Sequence, residues 1–302
     1  MSCAALRDLL RRCDQTAAGT APTVPAIDPA APSPQIADPM AWPPARLAIN
    51  DRLWGRGFIF PGGESETVNL ARPMGISAAG SLLLVGVGSG GPADAVARNL
   101  GAWVAGHESE AGLLAAARSR LVADRFGKKI VLGTWDPDNP IFGARPYHHC
   151  LALEPLRRGL AEPILDGLAR SVRRGGHLVI SATAAVAPLN PHDPTIARWA
   201  ALERRNPTCI PTATAITRML GRLGFDVRVE ENTTRRHTEQ ALAGWRVLLT
   251  QLREQIPDKE AAVHLLQEAE LWLLRRQLLR DQYICVMRWH AINRQPTPPL
   301  AG

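Results

Sequence analysis

Three glycines two residues apart, Gly86, Gly88 and Gly90, follow an apolar run in "LLLVGVGSGGPADAVARNLG", and Glu108 ends the next apolar run. Without a Cβ, glycine backbone takes positive φ at little cost and lets a ligand approach closely. A carboxylate after the following strand can accept hydrogen bonds from both hydroxyls of a ribose. Loop and acid together read as a cradle for a ribose-containing cofactor. Two spacings are satisfied at once. Gly86, Gly88 and Gly91 fit G-x-G-x-x-G, the dinucleotide pattern, whereas Gly86, Gly88 and Gly90 fit G-x-G-x-G. The loop alone does not choose between them.

Other reactive side chains carry weaker signals. Glu154 ends a later apolar run and either orients or deprotonates an acceptor, or caps a helix whose first turn contains Pro155. Arg157 and Arg158 follow it and read first as solvated helix-face cations, with an anion clamp as the alternative. His148 and His149 are adjacent in a strand, so their side chains point to opposite faces and do not readily share a metal. His107 reads as a residue that packs or hydrogen-bonds locally. Cys3, Cys13, Cys150, Cys209 and Cys285 lack metal-ligand spacing, and no metal is expected.

These residues need elements to hold them, and the chain alternates strand and helix signals. Strands are expected at Ser81–Val87, Trp103–Glu108, Lys129–Thr134, Tyr147–Leu153 and Gly175–Ser181. Helices are expected between them at Gly90–Leu100, Glu110–Phe126 and Pro155–Val172. Short connections of this kind imply parallel strands with helical crossovers, an α/β doubly wound sheet. Helix Thr212–Leu223, the strand "GFDVRVEE", two charged amphipathic helices (His237–Glu254 and Lys259–Leu279) and the strand "YICVMRWHAI" complete it. Two terminal strands without an ordinary crossover predict an antiparallel pair at the sheet edge. The helical pair, about residues 237–280, is expected to be a cap insertion.

The glycine loop in that context resembles the class I S-adenosylmethionine-dependent methyltransferases, whose seven-stranded Rossmann-like sheet has an antiparallel last strand. "RSVRRGGHLVIS" and "VAGHESEAGLLAAARSR" resemble that superfamily's fifth and second strands with their helices. More narrowly, "RLWGRGFIFPGGESETVNLARPMGI" resembles the segment before the first strand in phosphoethanolamine N-methyltransferases and related small-molecule enzymes, a likeness that runs from about Ala45 to Trp245. The resemblance implies S-adenosyl-L-methionine as cofactor, held by Gly86, Gly88, Gly90 and Glu108. It places Asp136 where a polar group meets the adenine amine, with Trp135 lining that pocket. Glu154 and His192, in the loops after the fourth and fifth strands, become the candidate catalytic residues facing a small-molecule acceptor. The implied reaction is in-line methyl transfer. Several positions depart from the pattern. Leu84 stands where an acid is common, Tyr147-His148 replaces Phe-Asp, and Trp42 and Arg158 occupy the places of the Tyr–His dyad. Phosphobase activity is therefore not carried over, and a catalytically degenerate binding or regulatory protein on the same fold is the alternative.

Composition bounds the remaining classes. The chain has 302 residues, 46% hydrophobic and 21% charged, with a formal charge of +7, the profile of a globular protein. Lysine occurs only at Lys128, Lys129 and Lys259. No basic stripe interleaved with aromatics appears, so no nucleic-acid partner is expected. No apolar run reaches the roughly 18 residues of a membrane span. The odd, unspaced cysteines fit a reducing cytoplasm, and a homodimer is compatible with the sequence. Residues 1–39, with Leu6, Leu9 and Leu10 on one face and an Ala/Pro-rich stretch behind them, read as a disordered tail and linker. The methyltransferase-like domain is expected over 40–294, and 295–302 as a second tail.

Overall fold

The structure is a computed structural model that describes residues 41–121, 127–254 and 257–294. The tails expected at 1–39 and 295–302 lie outside the described residues. So does the end of the helix expected to reach Phe126.

Two helices precede the sheet, α1 (Pro44–Trp54) and α2 (Gly63–Ala71), joined by a strap of residues 55–62. The alternating part runs β1 (Ser81–Val85), α3 (Gly91–Leu100), β2 (Trp103–Glu108), α4 (Ala111–Leu121), β3 (Ile130–Thr134), β4 (Tyr147–Leu153), α5 (Ala161–Arg170) and β5 (Val172–Ala185). Then come α6 (Pro194–Glu203), α7 (Ala213–Arg222), β6 (Phe225–Asn232), α8 (Thr234–Glu254), α9 (Lys259–Arg280) and β7 (Ile284–Asn293). The strands form one sheet in the order β3-β2-β1-β4-β5-β7-β6. β1 to β5 are mutually parallel, and β7 lies antiparallel between β5 and β6. The doubly wound seven-stranded sheet with its antiparallel last strand is thus the one read from the alternation.

β1 is apolar at nearly every position because both its faces are covered. Leu83 and Val85 face one core with Cys150, Ala152, Leu178 and Ile180, packed against Ile164, Leu165 and Leu168 of α5. Leu82 and Leu84 face the other, with Leu151, Val179, Val96 of α3 and Leu70 of α2. Leu84 is fully buried, so the position where an acid was expected is part of that core.

Besides shifts of a few residues at other element ends, three differences from the sequence reading each have a physical reason. β5 extends to Ala185 because β7 supplies antiparallel partners that far, Ala182 opposite Met287 and Ala185 opposite Ile284. The segment after β4 is a 3-10 turn at Pro155–Arg157 before α5, the chain being broken by Gly159 at φ 74°. α6 was not anticipated, although its signal is present: the Asp193 carboxylate accepts from the backbone N–H of Thr195 and Ile196 at 2.8 and 3.0 Å, with Pro194 at the first helical position.

Gly86, Gly88 and Gly90 all take positive φ (82°, 58° and 105°), the G-x-G-x-G pattern. A Cβ on Gly86 would lie 2.1 Å from the Leu153 carbonyl oxygen, whereas one on Gly88 would meet the Ile59 side chain at 3.2 Å. Gly86→Ala is therefore expected to cost about 3 kcal/mol or more of stability, since backbone must move. Gly88→Ala should cost only about 1–2 kcal/mol for its left-handed backbone. Urea unfolding of both variants checks the order.

Candidate active site

Parallel strands release their loops at one edge of the sheet, and a cleft forms there where β1 and β4 diverge toward opposite neighbours. A cavity of about 100 Å³ lies at this edge. Its floor at one end is Gly86, Glu108 and Trp135; at the other end are Glu154, Arg157 and Arg275, with Trp42 of the prelude and Trp272 of α9 as walls. Among the expected site residues, the structure thus brings Gly86, Glu108, Trp135 and Glu154 onto one cavity. Gly88 and Gly90 lie behind it in the loop. Asp136 is exposed in the turn after β3, its carboxylate accepting from the Asp138 N–H at 3.0 Å. His192 is exposed in the loop before α6 and does not line the cavity.

Glu108 is 5% exposed and turned onto the backbone. Oε2 accepts from the N–H of Gly88 at 2.8 Å, and Oε1 accepts from Ser109 and Glu110 at 3.0 and 3.2 Å. Burial pushes its pKa up to about 7, against the pull of the amides of Glu110 and Gly88. Trp135 is buried against Phe142, with ring centroids 5.3 Å apart, and its Nε1 has no partner among the described residues.

Glu154 sits at φ 49°, a left-handed conformation uncommon outside glycine, and its side chain lines the cavity. Oε1 accepts from the N–H and hydroxyl of Thr183 at 3.0 and 2.6 Å and faces Arg275 Nη2 at 3.4 Å, while Oε2 pairs with Arg205. Glu203 at the end of α6 binds the same two guanidiniums, Arg205 Nε at 2.8 Å and Arg275 through Nη1. Burial alone would raise the Glu154 pKa. Arg205 and Arg275 outweigh it, with help from the Thr183 hydroxyl, and hold the carboxyl well below the usual carboxylate range. A carboxylate so engaged is a poor proton acceptor.

The arginines after β4 are not the solvated cations expected. Arg158 pairs with Glu110. Arg157 points into the cavity, its guanidinium 5.7 Å from the Trp42 ring centroid, and Nη2 donates to the Glu203 backbone oxygen at 3.4 Å. Arg46 lies 4.1 Å over the same ring and pairs with Glu268 at 2.6 Å. His237, near the start of α8, completes the wall. Glu203, Arg205, Arg275 and His237 were missed. Arg275 lies on a helix that reads as charged and amphipathic yet is 6% exposed, and no local spacing marks it. His148 reaches Ser81 of β1 and His149 accepts from the backbone N–H of His177 of β5, and neither lines the cavity.

Two stability measurements follow. The folded-state pKa of Glu108 lies above the 4.5 of a free glutamate, so between those values the native state holds a proton that the unfolded chain has lost. Its contribution is complete below about pH 4.5 and disappears as pH rises through about 7, on the order of 3 kcal/mol. Relative to Glu108→Gln, which has no carboxyl to titrate, wild type should therefore lose stability in urea as pH rises from about 5 to 8. Glu154→Gln leaves two buried guanidiniums facing one carboxylate and should cost about 3–5 kcal/mol at pH 7; a loss under about 1 kcal/mol would remove the network from any stabilising role.

No protein-family model matches the sequence, and no curated protein matches it. Solved structures do match in shape. Phosphoethanolamine N-methyltransferase 2 of Haemonchus contortus, in complex with phosphomonomethylethanolamine and S-adenosylhomocysteine, superposes at TM-score 0.70 and 17% identity. The match covers 82% of this chain and 57% of that one, so this chain spans less than two thirds of the enzyme's length. The cyclopropane synthase MmaA2 of Mycobacterium tuberculosis matches at TM-score 0.63 and 13% identity, over 76% of this chain and 83% of its own. The cyclase SpnF matches at TM-score 0.62 and 16% identity, over 85% and 93%. With the strand order and the antiparallel β7, these matches show that the chain has the fold of the class I S-adenosylmethionine-dependent methyltransferases.

Proposed function

We propose that this protein is an S-adenosylmethionine-dependent methyltransferase that methylates a small-molecule acceptor by in-line displacement. The observation that carries the reading is the bond from the glycine-loop amide of Gly88 to Glu108, on a cavity that continues to the end of β4. Glu108 offers its carboxylate to ribose hydroxyls, Gly86 keeps the floor free of a side chain, and the orphaned Nε1 of Trp135 supplies a buried donor. These features fit the cofactor's nucleoside. Asp136 would have to act from the rim, and His192 from outside the cavity, if either contributes.

The cofactor supplies an activated methyl group on a sulfonium with a neutral leaving group. The protein's part is then alignment and exclusion of water. Trp42, Trp272 and the strap of residues 55–62 enclose the site. The Gly57 carbonyl accepts from the Gly91 N–H at 3.0 Å, and Ile59 sits over Gly88. The strap forms part of the cavity wall through Ile59, Phe60 and Pro61. No helix among the described residues is long and apolar enough to cross a membrane.

A second reading, a binding or regulatory protein that has lost chemistry, is favoured by one observation. The carboxylate nearest the acceptor end, Glu154, is consumed by internal ion pairs. The cyclase SpnF, matched at TM-score 0.62, is itself described by a reaction other than methylation, consistent with a fold that hosts several activities.

Calorimetry and thermal shift on the purified protein test the proposal. S-adenosylmethionine and its demethylated product should bind while NAD does not, adding about 2.7 kcal/mol of stability at a hundred times the dissociation constant. Glu108→Gln should weaken that binding roughly tenfold to a hundredfold, the loss of one charged hydrogen-bond acceptor. Equal shifts with NAD, or none with either sulfur ligand, would sink the assignment. Radiolabel transfer from the cofactor separates an enzyme from a binding protein.

A further inference from the structure

One imidazole, that of His237, lines the cavity with its Nε2 unpartnered among the described residues. His237 lies in the first turn of α8 with its ring centroid 5.8 Å from that of Trp272. It lines both the main cavity and a smaller lobe beside Phe60 and Pro61. Its Nε2 is buried and has no hydrogen-bond partner among the described residues. The charged groups around it are Arg275 of α9, Glu154 after β4 and Glu203 of α6, already paired with one another. In the smaller lobe the flanking charges, Arg236 and Glu66, pair at 2.9 Å. A polar atom kept buried and unsatisfied at a cavity wall points to a ligand atom that satisfies it.

We propose that His237 Nε2 accepts the proton of the methyl acceptor, and that the acceptor's nucleophile is a hydroxyl oxygen. The inference deepens the methyltransferase reading and rests on it. An oxygen lone pair forms the O–CH3 bond as the S–CH3 bond breaks, and the bonding pair returns to sulfur, leaving a neutral thioether. The hydroxyl proton passes to Nε2 and then to solvent, so the single positive charge moves from sulfonium to imidazolium.

The cavity's other groups favour oxygen over an ammonium nitrogen. An ammonium needs a free carboxylate, yet Glu110, Glu154, Glu203 and Glu268 are each paired with arginine, and Glu108 is bound to three amides. It also needs a strong base. Burial, with Arg275 adding to it, pulls the His237 pKa down to about 3. Such an imidazole stays unprotonated through the neutral range but cannot take a proton from an ammonium whose pKa is about 10. A hydroxyl that is gaining a methyl group becomes a far stronger acid than imidazolium, and its proton runs downhill to Nε2.

The test supplies cofactor labelled with carbon-13 in its methyl group to two panels. One contains phenols, hydroxybenzoates, hydroxy acids and polyols; the other contains ethanolamine, phosphoethanolamine and sarcosine. The methyl carbon's chemical shift distinguishes O-methyl from N-methyl products. The expected result is an O-methyl product whose kcat falls at least a hundredfold in His237→Gln, with cofactor affinity and melting temperature kept. His237→Phe serves as the second variant if Gln perturbs the packing. At saturating cofactor, where titration of Glu108 affects KM and not turnover, wild-type kcat should stay level from pH 8 down to about 5, below the pH of about 6.5 where an ordinary imidazole protonates. An N-methyl product, or unchanged kcat in both variants, overturns the inference. Cofactor binding without transfer to either panel also overturns it while leaving the binding reading intact. Absence of cofactor binding in the wild type defeats the methyltransferase reading itself.

Discussion

The carboxylate of Glu154 lines the cavity at the end of β4, on a residue held left-handed at φ 49°. Its partial burial by itself favours the protonated form. Two guanidiniums prevent that, Arg205 just beyond the end of α6 and Arg275 from the last third of α9, and each in turn meets Glu203. Such networks add little net stability compared with an apolar core, but removing one member is costly because the others stay buried. The consequence here is positional. Helices distant in sequence are tied to the carboxyl end of β4, and through Thr183 to β5.

That tie decides what the cavity can offer a ligand. Within the network the charges cancel, and the flanking pairs Arg158 with Glu110 and Arg46 with Glu268 cancel as well. Arg157 is the lining arginine without a carboxylate within ion-pair distance among the described residues, and Trp42 stacks beneath it instead. The cavity therefore presents a nearly neutral wall of tryptophan and arginine. Glu108 adds to this balance: with a pKa near 7 it is only partly ionised at neutral pH.

Much of the scaffold was legible because its signals are local. Strands buried on both faces read as continuous apolar runs, and the glycines that must take positive φ stand at fixed offsets after the first of them. Glu108 was found by its distance from that loop, and it does bond to Gly88. The end of the cavity beyond β4 was not legible in the same way. Trp42, Glu203, Arg205, His237 and Arg275 come from the prelude, from around the end of α6, and from α8 and α9, and only tertiary packing joins them. Arg157 and Arg158 were discounted as solvated because charge on a helix is ordinarily exposed. Here pairing, or stacking on tryptophan, makes their burial tolerable.

The strap links the two ends. Glu66, at the start of α2 just beyond it, accepts hydrogen bonds from Arg236 Nη2 and Gln240 Nε2 of α8 at 2.9 and 3.1 Å. A Cβ on Gly62 would come within 2.7 Å of the Gln240 amide, and one on Gly244 of α8 within 2.5 Å of the Leu53 carbonyl at the end of α1. Contacts this close leave little room for sliding, so α1, the strap, α2 and α8 behave as one packed body. The same body covers Gly88 through Ile59 and carries His237. A shift of the strap would therefore be felt at α8, through the bonds of Glu66 to Arg236 and Gln240 and the close approach of Gly62 to Gln240.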